Sequence, residues 1–239
     1  MVRNFIPTLF TLFNLLMGCM SLYYVFTQQY IIVFWLILFA ALADVLDGLV
    51  ARLLKVSGEL GKQLDSLADV VSFGVVPGAI FFQLIRYAYE ANHTLQSGNF
   101  GTGLAFGGFI FTLGAALRLA KFNLDSNQST DFVGLATPGA SLSVIGLMLV
   151  HHKGSGFMTA IVSNEYMLLG FAMILFSLML SPIRMFSLKS IAHGGWKKNI
   201  IPLIFIVMAL VLTIWLRGPA IALLPLLYVL LSLYLYRKT

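Results

Sequence analysis

The sequence predicts an all-α, polytopic membrane protein: a single bundle of about eight spanning helices with its charged chemistry gathered at one membrane face. Three observations carry this. Of 239 residues, 59% are hydrophobic and only 10% charged, and the mean hydropathy is +0.93; a soluble domain is about half apolar and about a quarter charged. The apolar residues form continuous runs of spanning length instead of alternating, so helices satisfy the backbone in lipid where barrel strands would not fit the pattern. Four of the nine acidic residues, Asp44, Asp47, Asp65 and Asp69, lie inside or at the ends of these runs. An acid near a helix centre costs roughly 2.5 to 3.5 kcal/mol, which marks a functional site. A soluble globular enzyme and a disordered chain are excluded. The net charge of +6 comes from scattered Lys and Arg and not from a basic face, so no nucleic-acid partner is expected.

The spans follow in order. Residues 5–27 form the first; Arg3 ahead of it resembles a signal-peptide flank, but the run is long and lacks an A-x-A site, so it is expected to be retained. Residues 30–52 end in Asp44 and Asp47, and residues 64–88 begin with Asp65 and Asp69. The runs 102–122, 137–153, 165–182, 199–216 and 219–236 complete the set. The core is expected over 5–182, with two additional C-terminal helices over 199–236, all within one domain of residues 1–239. Gly74-xxx-Gly78 and Gly103-xxx-Gly107 read as helix-packing faces. The lone Cys19 excludes an internal disulfide and a thiolate zinc site, and His93, His151, His152 and His193 read as loop residues without metal-ligand spacing.

With eight spans, both termini share a side. Twelve of the fifteen Lys and Arg fall at the termini and the even-numbered connections, which places these in the cytoplasm and the protein in the cell membrane.

Asp44 and Asp47 are spaced i, i+3, and Asp65 and Asp69 i, i+4, so each pair shares a helix face. If the two helices are antiparallel neighbours, four carboxylates converge. That all-oxygen set suits Mg²⁺, Mn²⁺ or Ca²⁺ and is sufficient to bridge two ions. Gly48, Ala51 and Gly61 keep the adjoining surface low, and Arg52 offers a planar fork to a phosphate. The opposing reading is an interfacial belt in which the acids pair with Arg52, Lys55 and Lys62.

Asp44-Val-Leu-Asp47-Gly48-Leu-Val-Ala51-Arg52, eight further residues, then Gly61-Lys-Gln-Leu-Asp65-Ser-Leu-Ala-Asp69 reads DxxDGxxAR(x8)GxxxDxxxD. This resembles the signature of the CDP-alcohol phosphatidyltransferase family at every defining position. Within that family, Pro7 to Gly18, Val71 to Pro77, Ala116 to Asn123, Gly134 to Pro138 and Arg184 to Lys189 resemble the members that use serine as acceptor. Ala136 stands where Pro is expected and Lys121 where Arg is common.

The resemblance implies a transferase that joins the phosphatidyl group of CDP-diacylglycerol to the L-serine hydroxyl and releases CMP, using two divalent cations, Mg²⁺ or Mn²⁺. It assigns Asp44, Asp47, Asp65 and Asp69 to the metals, Asp69 also as general base, and Gly48, Ala51, Arg52 and Gly61 to CDP-diacylglycerol. Asn14 is expected either to face the nucleotide or to hydrogen-bond to a neighbouring helix. Arg118 and Lys121 would clamp the serine carboxylate, or else serve as snorkelling topology anchors. The resemblance also implies a homodimer. The competing functions are a sister transferase using glycerol 3-phosphate or an inositol, and a cation-coupled transporter, which would place its carboxylates at the midplane of two related halves.

Overall fold

The computed structural model describes residues 2–56, 58–93, 99–124, 132–154, 158–185 and 218–236. These residues are helical apart from one two-residue antiparallel bridge. The helices are α1 (Val2–Phe26), α2 (Tyr30–Leu54), α3 (Glu59–Asp69), α4 (Val76–Asn92), α5 (Asn99–Ala105), α6 (Ile110–Leu124), α7 (Thr137–Lys153), α8 (Thr159–Val162), α9 (Glu165–Leu180) and α10 (Gly218–Tyr236). The expected span at 199–216 and the basic segment with His193, Lys189, Lys197 and Lys198 lie outside the described residues.

Among the described residues, four helical stretches are long and apolar enough to cross a membrane: Ile6–Phe26, Tyr30–Leu54, Glu59–Asn92 and Gly101–Leu124; Glu165–Leu180 and Gly218–Tyr234 are apolar but shorter. On α2, Trp35, Leu38, Phe39, Leu42 and Val45 are exposed, the arrangement expected where lipid is the outer solvent. The chain is an integral membrane helical bundle. At its centre, α4 is buried from Val76 through Ile85 without a polar face, so other helices surround it.

The third expected helix is longer and less regular than the sequence suggested. Glu59–Asn92 runs on through a π-helical segment, Val70–Val75, between α3 and α4. Pro77, one residue into α4, has no N–H for the carbonyl one turn back, and its ring crowds Phe73; widening the preceding turn relieves both. A comparable irregularity, a 3₁₀ turn at Phe106–Phe109, joins α5 to α6 where Gly107 and Gly108 lower helix propensity.

Small residues set the closest crossings. Thr112 donates to the Gly74 carbonyl at 2.9 Å, and a Cβ at Gly78 would overlap Thr112 and Phe109. The Gly74-xxx-Gly78 face is thus used inside the fold against α6 and is not free for a second copy. Nothing lies within 4 Å of a Cβ at Gly103, whereas one at Gly107 would meet Leu169. Gly146 on α7 abuts the Ala222 backbone of α10. Gly146→Ala is therefore expected to force α7 and α10 apart and destabilise the bundle by about 1 to 3 kcal/mol. Thermal unfolding of the detergent-solubilised protein measures this, and an unchanged midpoint would show that α10 yields freely.

Gly134, at φ +74°, turns the chain so that its N–H reaches the Ile183 carbonyl (2.8 Å) and Leu135 N–H reaches Leu178 (3.0 Å). With the Phe132–Val133 to Arg184–Met185 bridge, this ties the start of α7 to the end of α9. The N-terminal residue of α7, Thr137, is thereby held beside α6.

Candidate active site

The acidic helices are not packed neighbours. α1 packs along α2 and also against α3, while the α2 and α3 backbones barely approach each other. Lys55, in the left-handed conformation at φ 53°, ends α2 and turns the chain back toward α3. In place of close α2/α3 backbone packing, each acidic helix packs against α1, and the carboxylates of α2 and α3 meet through their side chains.

Asp44, Asp47 and Asp65 each place an oxygen within 4.8 Å of the others. Thr11 of α1 donates to Asp47 Oδ2 at 2.7 Å. One oxygen of Asp65 is buried without a hydrogen-bond partner among the described residues. Asp69 stands outside this trio, but the charges of all three acids reach it. Its Oδ1 accepts from Asn14 Nδ2 at 3.1 Å, and both side chains are buried. This bond joins α1 to the end of α3.

The charge belt does not form. No Lys or Arg lies within ion-pair distance of these four acids among the described residues. Arg52 Nε donates to the Gly48 carbonyl at 2.9 Å, and Lys62 Nζ to the Asn123 carbonyl at 3.0 Å. A cluster of unpaired carboxylates with a bare buried oxygen fits hard divalent cations, which take oxygen ligands.

Beside the trio opens a cavity of about 630 Å³, a size typical of small-ligand sites. Asp47, Gly48, Ala51, Arg52, Gly61 and Asp65 all contribute to its wall, with Thr8 and Thr11 from α1 and Lys55 and Lys62 at its basic side. A Cβ at Gly48 or Gly61 would meet nothing within 4 Å among the described residues, so their packing does not demand glycine at either position. Both glycines keep the wall open toward the cavity. Asn14 is not part of the wall.

Arg118 and Lys121 part company. Arg118 is 9% exposed, Lys121 exposed. Arg118 Nη1 donates to Thr137 Oγ1 at 3.3 Å, its guanidinium lies 5.6 Å from the Phe122 ring centroid, and its Nε has no partner among the described residues. Its charge reaches Asp69. The outward position of Lys121 suits the anchor reading. Thr11, Ser72, Asn123 and Thr137 were not singled out by the sequence reading. All four fall within segments that carry the family resemblance, and Thr11 is also a polar residue one turn from Asn14 in a largely apolar helix.

The family model described as CDP-alcohol phosphatidyltransferase matches residues 4–231, nearly the whole chain. The chain belongs to that family. It is similar to the CDP-diacylglycerol–serine O-phosphatidyltransferase of Helicobacter pylori strain J99, 34% identical over 208 residues that cover 86% of this chain and 80% of the relative. Proteins of the same name in Bacillus subtilis (26% over 149 residues, 62% of this chain and 78% of the relative) and Methanocaldococcus jannaschii (36% over 113 residues, 47% and 48%) are also similar. Of the signature residues, Asp47, Gly48, Ala51, Arg52, Gly61 and Asp65 line the cavity, and Asp44 completes the acidic trio beside it.

Proposed function

We propose that this chain, acting as one domain, transfers the phosphatidyl group of CDP-diacylglycerol to the hydroxyl of L-serine and releases CMP at the cytoplasmic face of the cell membrane. The observation that carries the reading is the acidic trio opening onto a cavity walled by Gly48, Ala51, Arg52 and Gly61. The names of the similar proteins support serine as acceptor. The skew of Lys and Arg supports the orientation. A homodimer belongs to the same reading, through a face other than Gly74-xxx-Gly78.

Asp44, Asp47, Asp65 and Asp69 would hold two divalent cations, Mg²⁺ or Mn²⁺, which when bound neutralise the pyrophosphate and stabilise charge on the leaving phosphate. The residues supply the rest. Gly48 and Gly61 leave room for the CDP moiety against the helix backbones, Ala51 keeps the wall low, and Arg52 and Lys62 give the phosphates positive neighbours. Asp69 accepts the proton of the serine hydroxyl as that oxygen bonds to the diacylglycerol-linked phosphorus and the bond to the CMP oxygen breaks. Arg118, already fixed by Thr137 and Phe122, offers its unpartnered Nε to the serine carboxylate.

The test is transfer of radiolabelled serine to lipid by purified protein with CDP-diacylglycerol and Mn²⁺ or Mg²⁺. Labelled phospholipid with equimolar CMP is expected. Incorporation of glycerol 3-phosphate or an inositol in place of serine would move the chain to a sister activity.

Arg118→Ala should remove a charge-assisted contact worth about 1.5 to 3 kcal/mol, a loss of roughly tenfold or more in kcat/KM for serine, with little change in KM for CDP-diacylglycerol. Arg118→Lys keeps the charge but not the planar fork and should recover activity only in part. Unchanged serine kinetics in Arg118→Ala would make the residue an anchor.

A further inference from the structure

α1 does more than line the cavity. Asn14 is fully buried and held at both ends of its peptide and side chain: its Nδ2 donates to Asp69 Oδ1 at 3.1 Å, and its carbonyl accepts from Ser72 Oγ at 3.0 Å. Ser72 lies in the π-helical segment that begins one residue after Asp69. One turn along α1, a Cβ at Gly18 would overlap the Ser72 hydroxyl, so α1 and the π segment approach there as closely as a missing side chain allows. The widened turn sets the direction in which Asp69 leaves the helix, and a π turn in isolation is a poor determinant of geometry. Asn14 and Gly18 pin it from the α1 side.

We propose that Asn14 is a positioning residue for Asp69. By occupying Oδ1 it fixes the rotation of the carboxylate and leaves Oδ2 to face the reacting groups. The amide orientation is fixed too, since its NH₂ and not its oxygen must face a carboxylate oxygen. This rests on the reading of Asp69 as the base. It departs from a nucleotide-contact role, because Asn14 is fully buried, is not among the residues lining the cavity, and has its amide nitrogen bonded to Asp69.

The experiment compares full-length Asn14→Ala, Asn14→Leu, Ser72→Ala and Asp69→Asn with the unaltered protein in detergent. It measures kcat, both KM values, CDP binding in the presence of Mn²⁺, and the thermal midpoint. Asn14→Leu keeps the branched heavy-atom shape, with bulkier methyl groups, while removing the donor, and Asn14→Ala removes the donor without added bulk. Both Asn14 variants should lose roughly ten- to a hundredfold in kcat while KM and CDP binding stay within about threefold, and Ser72→Ala, which keeps the donor, should lose much less. A rise in KM and weaker CDP binding with kcat maintained would make Asn14 a nucleotide contact and overturn the proposal. Equal kcat losses in Asn14→Leu and Ser72→Ala, tracking a lowered midpoint, would reduce it to packing. An inactive Asp69→Asn beside a normal Asn14→Leu defeats this inference alone, whereas an active Asp69→Asn defeats the reading of the base.

Discussion

Asp69→Asn is expected to lower serine-dependent CMP release by roughly a hundred- to ten-thousandfold, the usual worth of a positioned general base. The substitution is conservative in shape, and the structure says why it should not unfold the site. An Asn at 69 still presents an oxygen to the Asn14 amide, so the hydrogen bond that ties the end of α3 to α1 survives. What is lost is the group that takes the proton and, because the new NH₂ takes the place of Oδ2, one oxygen toward the cations, which the other three acids keep supplying. CDP-diacylglycerol binding should persist, because the cavity wall is formed by α1, α2 and the start of α3, with Asp69 outside it. Near-normal turnover in this variant would place the base elsewhere.

Removing divalent ions should abolish activity altogether, and Mg²⁺ or Mn²⁺ should restore it. The argument is electrostatic. Asp44, Asp47 and Asp65 bring oxygens within 4.8 Å of one another; at that separation and an effective dielectric of about 20, each ionised pair repels by about 3 to 4 kcal/mol. No ammonium or guanidinium stands within ion-pair distance among the described residues, since Arg52 and Lys62 bind backbone carbonyls instead. Carboxylates assembled at this density need a cation, and oxygen donors select a hard one. CMP release measured after chelation and again after re-addition of each ion tests this. Full turnover in metal-free buffer would refute the two-ion reading.

The helix set was legible because its signal is strong and local. The runs read as 30–52, 137–153 and 219–236 correspond to Tyr30–Leu54, Thr137–Lys153 and Gly218–Tyr236 within two residues at each end. Lipid offers the backbone no other partner, so a long apolar run has few alternatives to a helix. The irregular stretch Val70–Val75 was not legible. Pro77 announces a disturbance, but a kink, a break and a π turn all relieve it, and the choice depends on Ser72 and Gly18 meeting across the bundle.

Acid spacing alone put Asp44 with Asp47 and Asp65 with Asp69 on shared helix faces, and the signature added the surrounding glycines, Ala51 and Arg52. Those assignments depend on positions within one helix, which a periodicity of 3.6 residues fixes. Which acids meet is a different kind of fact. Three converge while Asp69 turns toward Asn14, because α1 packs against both acidic helices and supplies Thr11 to one acid and Asn14 to another. Arg118 and Lys121 look equivalent as an i, i+3 pair, yet packing against Thr137 and Phe122 buries one and leaves the other outside. The sequence by itself determined the membrane helices, the acid-bearing faces and the family. The tertiary structure alone decided the packing of both acidic helices on α1, the π turn and the split of the acids into a trio and a separately held Asp69. Those depend on contacts between residues some 36 to 58 positions apart, and such contacts leave no trace in local periodicity.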